Sequence, residues 1–130
     1  MQALELVMNA ITREQNPYLN GNYAPTTVET EQQLRVLAGA IPHDLAGIYV
    51  RNGPNPYLTV EGRHHWFDGD GMLHAVEIAN GSATYRNKWI GTEGLQLERE
   101  SGEAQWQGIR EPVRKLTLGR PYKDTADTDV

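Results

Sequence analysis

His64-His65-Trp66-Phe67-Asp68-Gly69-Asp70-Gly71-Met72-Leu73-His74 is followed nine residues after Gly71 by Asn80-Gly81, and the two together decide the fold. Asn-Gly is the pair most favoured in a two-residue type I′ hairpin turn, because both central positions need positive φ. Pairing outward from it sets Ile78 against Ala83, Val76 against Tyr85, His74 against Asn87 and Met72 against Trp89. The opposite face pairs Glu77 with Thr84, Ala75 with Arg86 and Leu73 with Lys88, leaving Glu77 diagonal to Arg86 and within reach of an ion pair. The first face is mostly apolar and expected to be buried, and the second wet. Asp and Gly both tolerate left-handed backbone, so Asp68-Gly69-Asp70-Gly71 is expected to be a tight, self-bonded turn immediately before the first hairpin strand.

Upstream, Gly47-Ile48-Tyr49-Val50-Arg51 alternates and is rich in β-branched and aromatic residues, which predicts a strand stopped by Asn52-Gly53-Pro54. Pro54 and Pro56 each hold the preceding residue extended, so Pro54-Asn55-Pro56 fixes the exit path. Leu34, Val36 and Leu37 form a strand-length apolar patch that could be strand or helix. Asn16 to Pro25 has no period and reads as an extended loop tied down by Tyr18 and Tyr23. Downstream, Leu95 and Leu97 alternate with Gln96 and Glu98, and Ser101-Gly102 can turn the chain, which predicts a short strand pair ending near Trp106. Leu116-Thr117-Leu118 reads as a further strand.

Several function classes fall away on composition. A net charge of −5 with no basic cluster argues against nucleic acid as a partner. The absence of cysteine removes disulfides and thiolate metal sites and fits a cytoplasmic protein. No long apolar run or basic leader suggests a membrane span or a secretory signal. Leu4, Val7, Met8 and Ile11 share one face of a short N-terminal helix. That face could touch a membrane peripherally, but Glu5 and the lack of flanking cations favour simple docking.

The central run invites a metal reading. Two histidines and a carboxylate bind non-haem iron with positions left open, and His65, Asp68 or Asp70, and His74 carry suitable atoms. The spacing fits poorly: His64 and His65 would point to opposite sides of an extended chain, and His74 sits on the packed hairpin face opposite Asn87. His74 therefore reads as a core histidine bonded to Asn87 or to the Asp-Gly turn. A calcium loop fails because Met72 stands where a third oxygen is needed. No phosphate-cradling Gly-rich loop and no nucleophile elbow is present.

Gly47-x-Tyr49-x-Arg51-Asn52-Gly53-Pro54-Asn55-Pro56 followed by His65-Trp66-Phe67-Asp68-Gly69-Asp70-Gly71-Met72-x-His74-Ala75-Val76 closely resembles the N-terminal signature of the carotenoid cleavage oxygenases. Asn16-Pro17-Tyr18-Leu19-x-Gly21-Asn22, Ile41-Pro42 and Asp124-Thr125-Ala126 extend the resemblance over most of the chain. It implies an all-β fold: the N-terminal part, about two blades, of a seven-bladed β-propeller, with residues 1–40 as a short helix or loop extension and 41–130 as the first blades. It also implies a dioxygenase that uses Fe(II) and O2 to cleave a conjugated C=C bond of a lipophilic polyene or stilbene. The family holds its iron through four histidines in motifs downstream of the matched region. None of His43, His64, His65 or His74 aligns with one, so the resemblance assigns no catalytic or metal residue here and no iron to this chain. Arg51, Asn52, Gly53, Pro54, Asn55, Pro56, Trp66, Asp68, Gly69, Asp70, Gly71 and His74 are accordingly expected to be structural.

Two departures stand out. Lys88-Trp89-Ile90-Gly91-Thr92 replaces an Arg-aromatic-Val-Arg-Thr-like run, and Asp127 stands where Asn is usual, which is costly if the carboxylate is buried without a partner. A ring cannot close on this length, so the chain is expected to be the inactive N-terminal piece of a longer enzyme. The rival is a non-catalytic, degenerate propeller module acting in protein interaction, or a truncated relic.

Overall fold

The computed structural model describes residues 16–58 and 63–130. The N-terminal helix expected from Leu4 to Ile11 lies outside the described residues. One antiparallel sheet dominates, with β1 (Thr30–Gln33), β2 (Gly47–Pro54), β3 (Gly71–Ala79) and β4 (Ser82–Trp89) in the order β1-β4-β3-β2. An α-helix follows, α1 (Glu93–Ser101), the only one among the described residues.

The β3–β4 hairpin has the register read from its turn, from Met72↔Trp89 to Ala79↔Ser82. Asn80 at φ 50° and Gly81 at φ 73° supply the two left-handed positions that the turn needs. Arg86 bonds Glu77 at 2.6 Å and Glu31 of β1 at 2.9 Å; these exposed pairs are screened and add little stability. Burial along the apolar face of the hairpin is uneven. Met72 and Trp89 are buried with Leu95 of α1, whereas Val76 and Ile78 near the turn are only half-buried.

Four expectations need correcting. The strand from Gly47 does not stop at Arg51 but continues through Asn52 and Gly53 to Pro54, all in register with β3. Pro54 is tolerated because β2 is an edge strand, where a missing N–H breaks no second ladder. Leu95 and Leu97 belong to α1, not to a strand. The Thr92 side chain accepts from the Leu95 N–H as N-cap, and Gly102 closes the helix at φ 71°. Leu116-Thr117-Leu118 makes only an isolated bridge from Thr117 to Arg120 across Leu118 and Gly119, both at positive φ. Finally, Asn16 to Pro25 is not extended but coils into two 3-10 turns, Pro17–Leu19 and Gly21–Tyr23.

The apolar patch at Leu34, Val36 and Leu37 follows β1 and is exposed. β1 itself is all polar and is recruited through side chains. Asn87 accepts from the Thr30 N–H and donates to the Val28 carbonyl, while Asn55 makes the same two-way clamp on Thr26.

Candidate functional site

The Asp-Gly run is a joint between distant segments. His65 and Asp68 form a reciprocal capping box around the 3-10 turn Trp66–Asp68, with the His65 N–H bonded to Asp68 Oδ2 at 2.8 Å. The second oxygen of Asp68 reaches forward to accept from the Ile109 N–H at 2.8 Å. Asp70 Oδ2 accepts from the Tyr57 N–H, and its carbonyl accepts from Asn55. The Gly71 N–H donates to Thr125, and its carbonyl accepts from Ile90.

The glycines serve this joint differently from the expectation. Gly69 sits at φ −73°, and neither it nor Gly71 is left-handed. What they supply is room. A Cβ on Gly69 would fall 2.8 Å from Pro54 Cβ, and one on Gly71 would fall 2.2 Å from the Ala126 carbonyl oxygen. Self-bonding within the turn is thus a smaller part than bonding across the chain.

At the centre of the joint lies an ion triad that sequence reasoning missed. Lys123 Nζ bridges Asp70 and Glu98, with all three side chains at 9% exposure or less. Formally the triad keeps one negative charge. Two backbone donors face it, since Glu98 Oε1 accepts from Gln105 N and Asp70 Oδ2 from Tyr57 N. The residues come from three separate parts of the chain, 25 or more positions apart, and nothing local marks them as partners. A cavity of about 50 Å³ beside Glu98, Trp106 and Lys123 has room for waters but not for a substrate-sized group.

The histidines do not converge. His65 Nδ1 accepts from the Phe67 N–H. His74 Nδ1 is 2.8 Å from Tyr85 Oη, not bonded to Asn87 or the Asp-Gly turn, because Asn87 is engaged by Val28 and Thr30. Burial lowers the pKa of both His64 and His74, with Arg51 adding to the effect at His74. Among the described residues no group of three histidine or acidic side chains could hold a metal ion. Of the Arg51 to Pro56 motif, Asn52 holds the carbonyls of Ala126 and Asp129, Asn55 clamps Thr26, and the Arg51 side chain has no hydrogen bond or ion pair among the described residues.

Asp127 is buried at 9% exposure, and its Oδ2 lacks a hydrogen-bond partner among the described residues. Burial pushes its pKa up, with Asp68 and Asp70 adding to the shift. A raised carboxyl pKa means that the folded chain holds its proton to higher pH than the unfolded one. Stability is therefore lost as pH rises from the ordinary 3.8 through the folded value. The buried histidines have the opposite sign, and stability falls as pH drops below their ordinary 6.5. We expect Asp127→Asn to raise stability at pH 7 by about 1 kcal/mol, by removing a buried charge one of whose oxygens lacks a partner among the described residues. Thermal midpoints from pH 4 to 8 check this, because the gain should shrink toward the acid end.

The family model described as retinal pigment epithelial membrane protein matches residues 23–130. Carotenoid 9,10(9',10')-cleavage dioxygenase 1 of Arabidopsis thaliana is 42% identical over 93 residues, which is 71% of this chain and 17% of that protein. A carotenoid cleavage oxygenase of Mycobacterium tuberculosis is 46% identical over 83 residues, 62% of this chain and 17% of its own length. The chain thus spans about a sixth of the length of these relatives. Among solved structures, Pseudomonas brassicacearum lignostilbene dioxygenase superimposes with a TM-score of 0.75 at 27% identity, over 86% of this chain and 24% of that one. A Synechocystis apocarotenoid oxygenase variant superimposes with a TM-score of 0.59 at 31% identity, over 65% of this chain and 18% of that one. With the match running from Tyr23 through the Asp-Gly joint to Val130, the chain belongs to the retinal pigment epithelial membrane protein family.

Proposed function

We propose that this chain is the framing part of an enzyme that cleaves a conjugated C=C bond with dioxygen, in a carotenoid, apocarotenoid or stilbene. The observation that carries the reading is the overlay on a lignostilbene dioxygenase across 86% of the chain. In the reaction one O2 adds across one double bond. The C=C and O–O bonds break, and each carbon leaves as a carbonyl, so no further reductant is required.

In this reading the four-stranded sheet is a propeller blade, and the Asp68–Asp70 joint fixes the following segment against it. The family resemblance implies Fe(II), but the described histidines do not fit an iron site. His65 and His74 are bonded elsewhere, and no carboxylate joins them. We assign no step of the reaction to these residues, and the 130-residue chain by itself is proposed to be inactive.

The test is oxygen uptake with carbonyl analysis on the native gene product, given an apocarotenoid and a hydroxystilbene. One O2 consumed per substrate and two carbonyl products are expected for at least one of them. If neither is consumed, the reading is wrong.

A further inference from the structure

A cavity of about 280 Å³ opens where the N-terminal 3-10 turns cross the end of β2 and β3. Its walls include Arg51, His64 and His74, together with Tyr23 and Trp66, whose rings meet edge-to-face at 4.9 Å. In a chain with 17 acidic residues, none of the described residues lining this cavity is Asp or Glu.

Arg51 is the key group. It stands opposite His74 in the β2–β3 register, and its side chain has no hydrogen bond or ion pair among the described residues. Its guanidinium runs along the strand toward Gly53, where a Cβ would touch Nη1 at 3.7 Å, so the glycine keeps that path open. Guanidinium presents a planar fork suited to carboxylate. The aromatic rings Tyr23 and Trp66, 48% and 39% exposed, stand at the same cavity and offer faces and edges for stacking. Burial and the Arg51 charge lower the pKa of His74, which favours the neutral imidazole beside the guanidinium.

We propose that this cavity is a binding site for a small aromatic carboxylate, with Arg51 taking the carboxylate and Tyr23 and Trp66 flanking the ring. The volume lies just under the roughly 300 Å³ at which drug-sized pockets begin, which suits a single ring. The absence of acidic lining disfavours a cation, and the aromatic walls disfavour a bare inorganic anion. This site stands apart from the alkene-cleaving reading and needs no turnover.

The experiment is calorimetric titration of the 130-residue chain with benzoate, acetate, benzyl alcohol and benzylamine. Benzoate should bind saturably at one site, and acetate and benzyl alcohol each about tenfold or more weaker, since each lacks one half of the recognition. Arg51→Met should cost benzoate about tenfold and leave benzyl alcohol unchanged, while Arg51→Lys should recover part of the loss. Far-UV circular dichroism checks that the variants fold. Should Arg51→Met fail to fold, Tyr23→Leu and the four wild-type titrations still decide. Benzoate binding no better than acetate or benzyl alcohol, or unchanged in Arg51→Met, would overturn the proposal.

Discussion

Replacing Lys123 by Met should destabilise the chain by about 3–5 kcal/mol, the cost of leaving buried charge without its partner. Asp70 and Glu98 would face each other at 2% and 4% side-chain exposure with no ammonium between them. Their backbone donors, Tyr57 N and Gln105 N, can support one excess charge but not two. A loss of that size is a large part of the roughly 5–15 kcal/mol that holds an ordinary domain together. Urea midpoints measure it. Adding Glu98→Gln to Lys123→Met should recover part of the loss, because the double variant buries one charge instead of two. A wild-type-like midpoint for Lys123→Met would show that the triad carries no weight.

The second large effect is expected at Gly71. A single added methyl would lie 2.2 Å from the Ala126 oxygen and 3.0 Å from Ile90 Cδ1. Accommodating it means moving the segment whose Thr125 carbonyl takes the Gly71 N–H at 2.7 Å. Overpacking together with that lost bond should cost about 3 kcal/mol. Gly47→Ala is the control, since a Cβ there meets nothing within 4 Å and the effect should stay within about 0.5 kcal/mol. Equal midpoints for the two variants would remove the close-approach argument.

How much of this was legible follows from the range of the forces involved. The β3–β4 register was readable because Asn80-Gly81 fixes it within a few residues. The role of Asp68-Gly69-Asp70-Gly71 was readable only as the place of a break. Its composition suits a left-handed turn, but the glycines are required by Pro54 and Ala126, which are distant in sequence. In α1, the Thr92 cap and Gly102 stop were present in the sequence, and the Leu95/Leu97 alternation masked them. The buried Glu98 made that helix face look polar because its partner Lys123 is 25 residues away. His74 was readable as a packed hairpin residue, but its partner Tyr85 was not, since Asn87 directly opposite is drawn away by β1. The family was legible from the motifs themselves, which lie within the residues the family model matches.

The central claim is that the His64 to His74 run is a mechanical joint and not a metal centre. The direct test is anaerobic addition of Fe(II) to the 130-residue chain, following the ring nitrogens of His64, His65 and His74 by NMR with iron content measured alongside. The account predicts no saturable iron binding and no site-specific loss of these signals. Stoichiometric iron that selectively broadens His65 and His74 would contradict it.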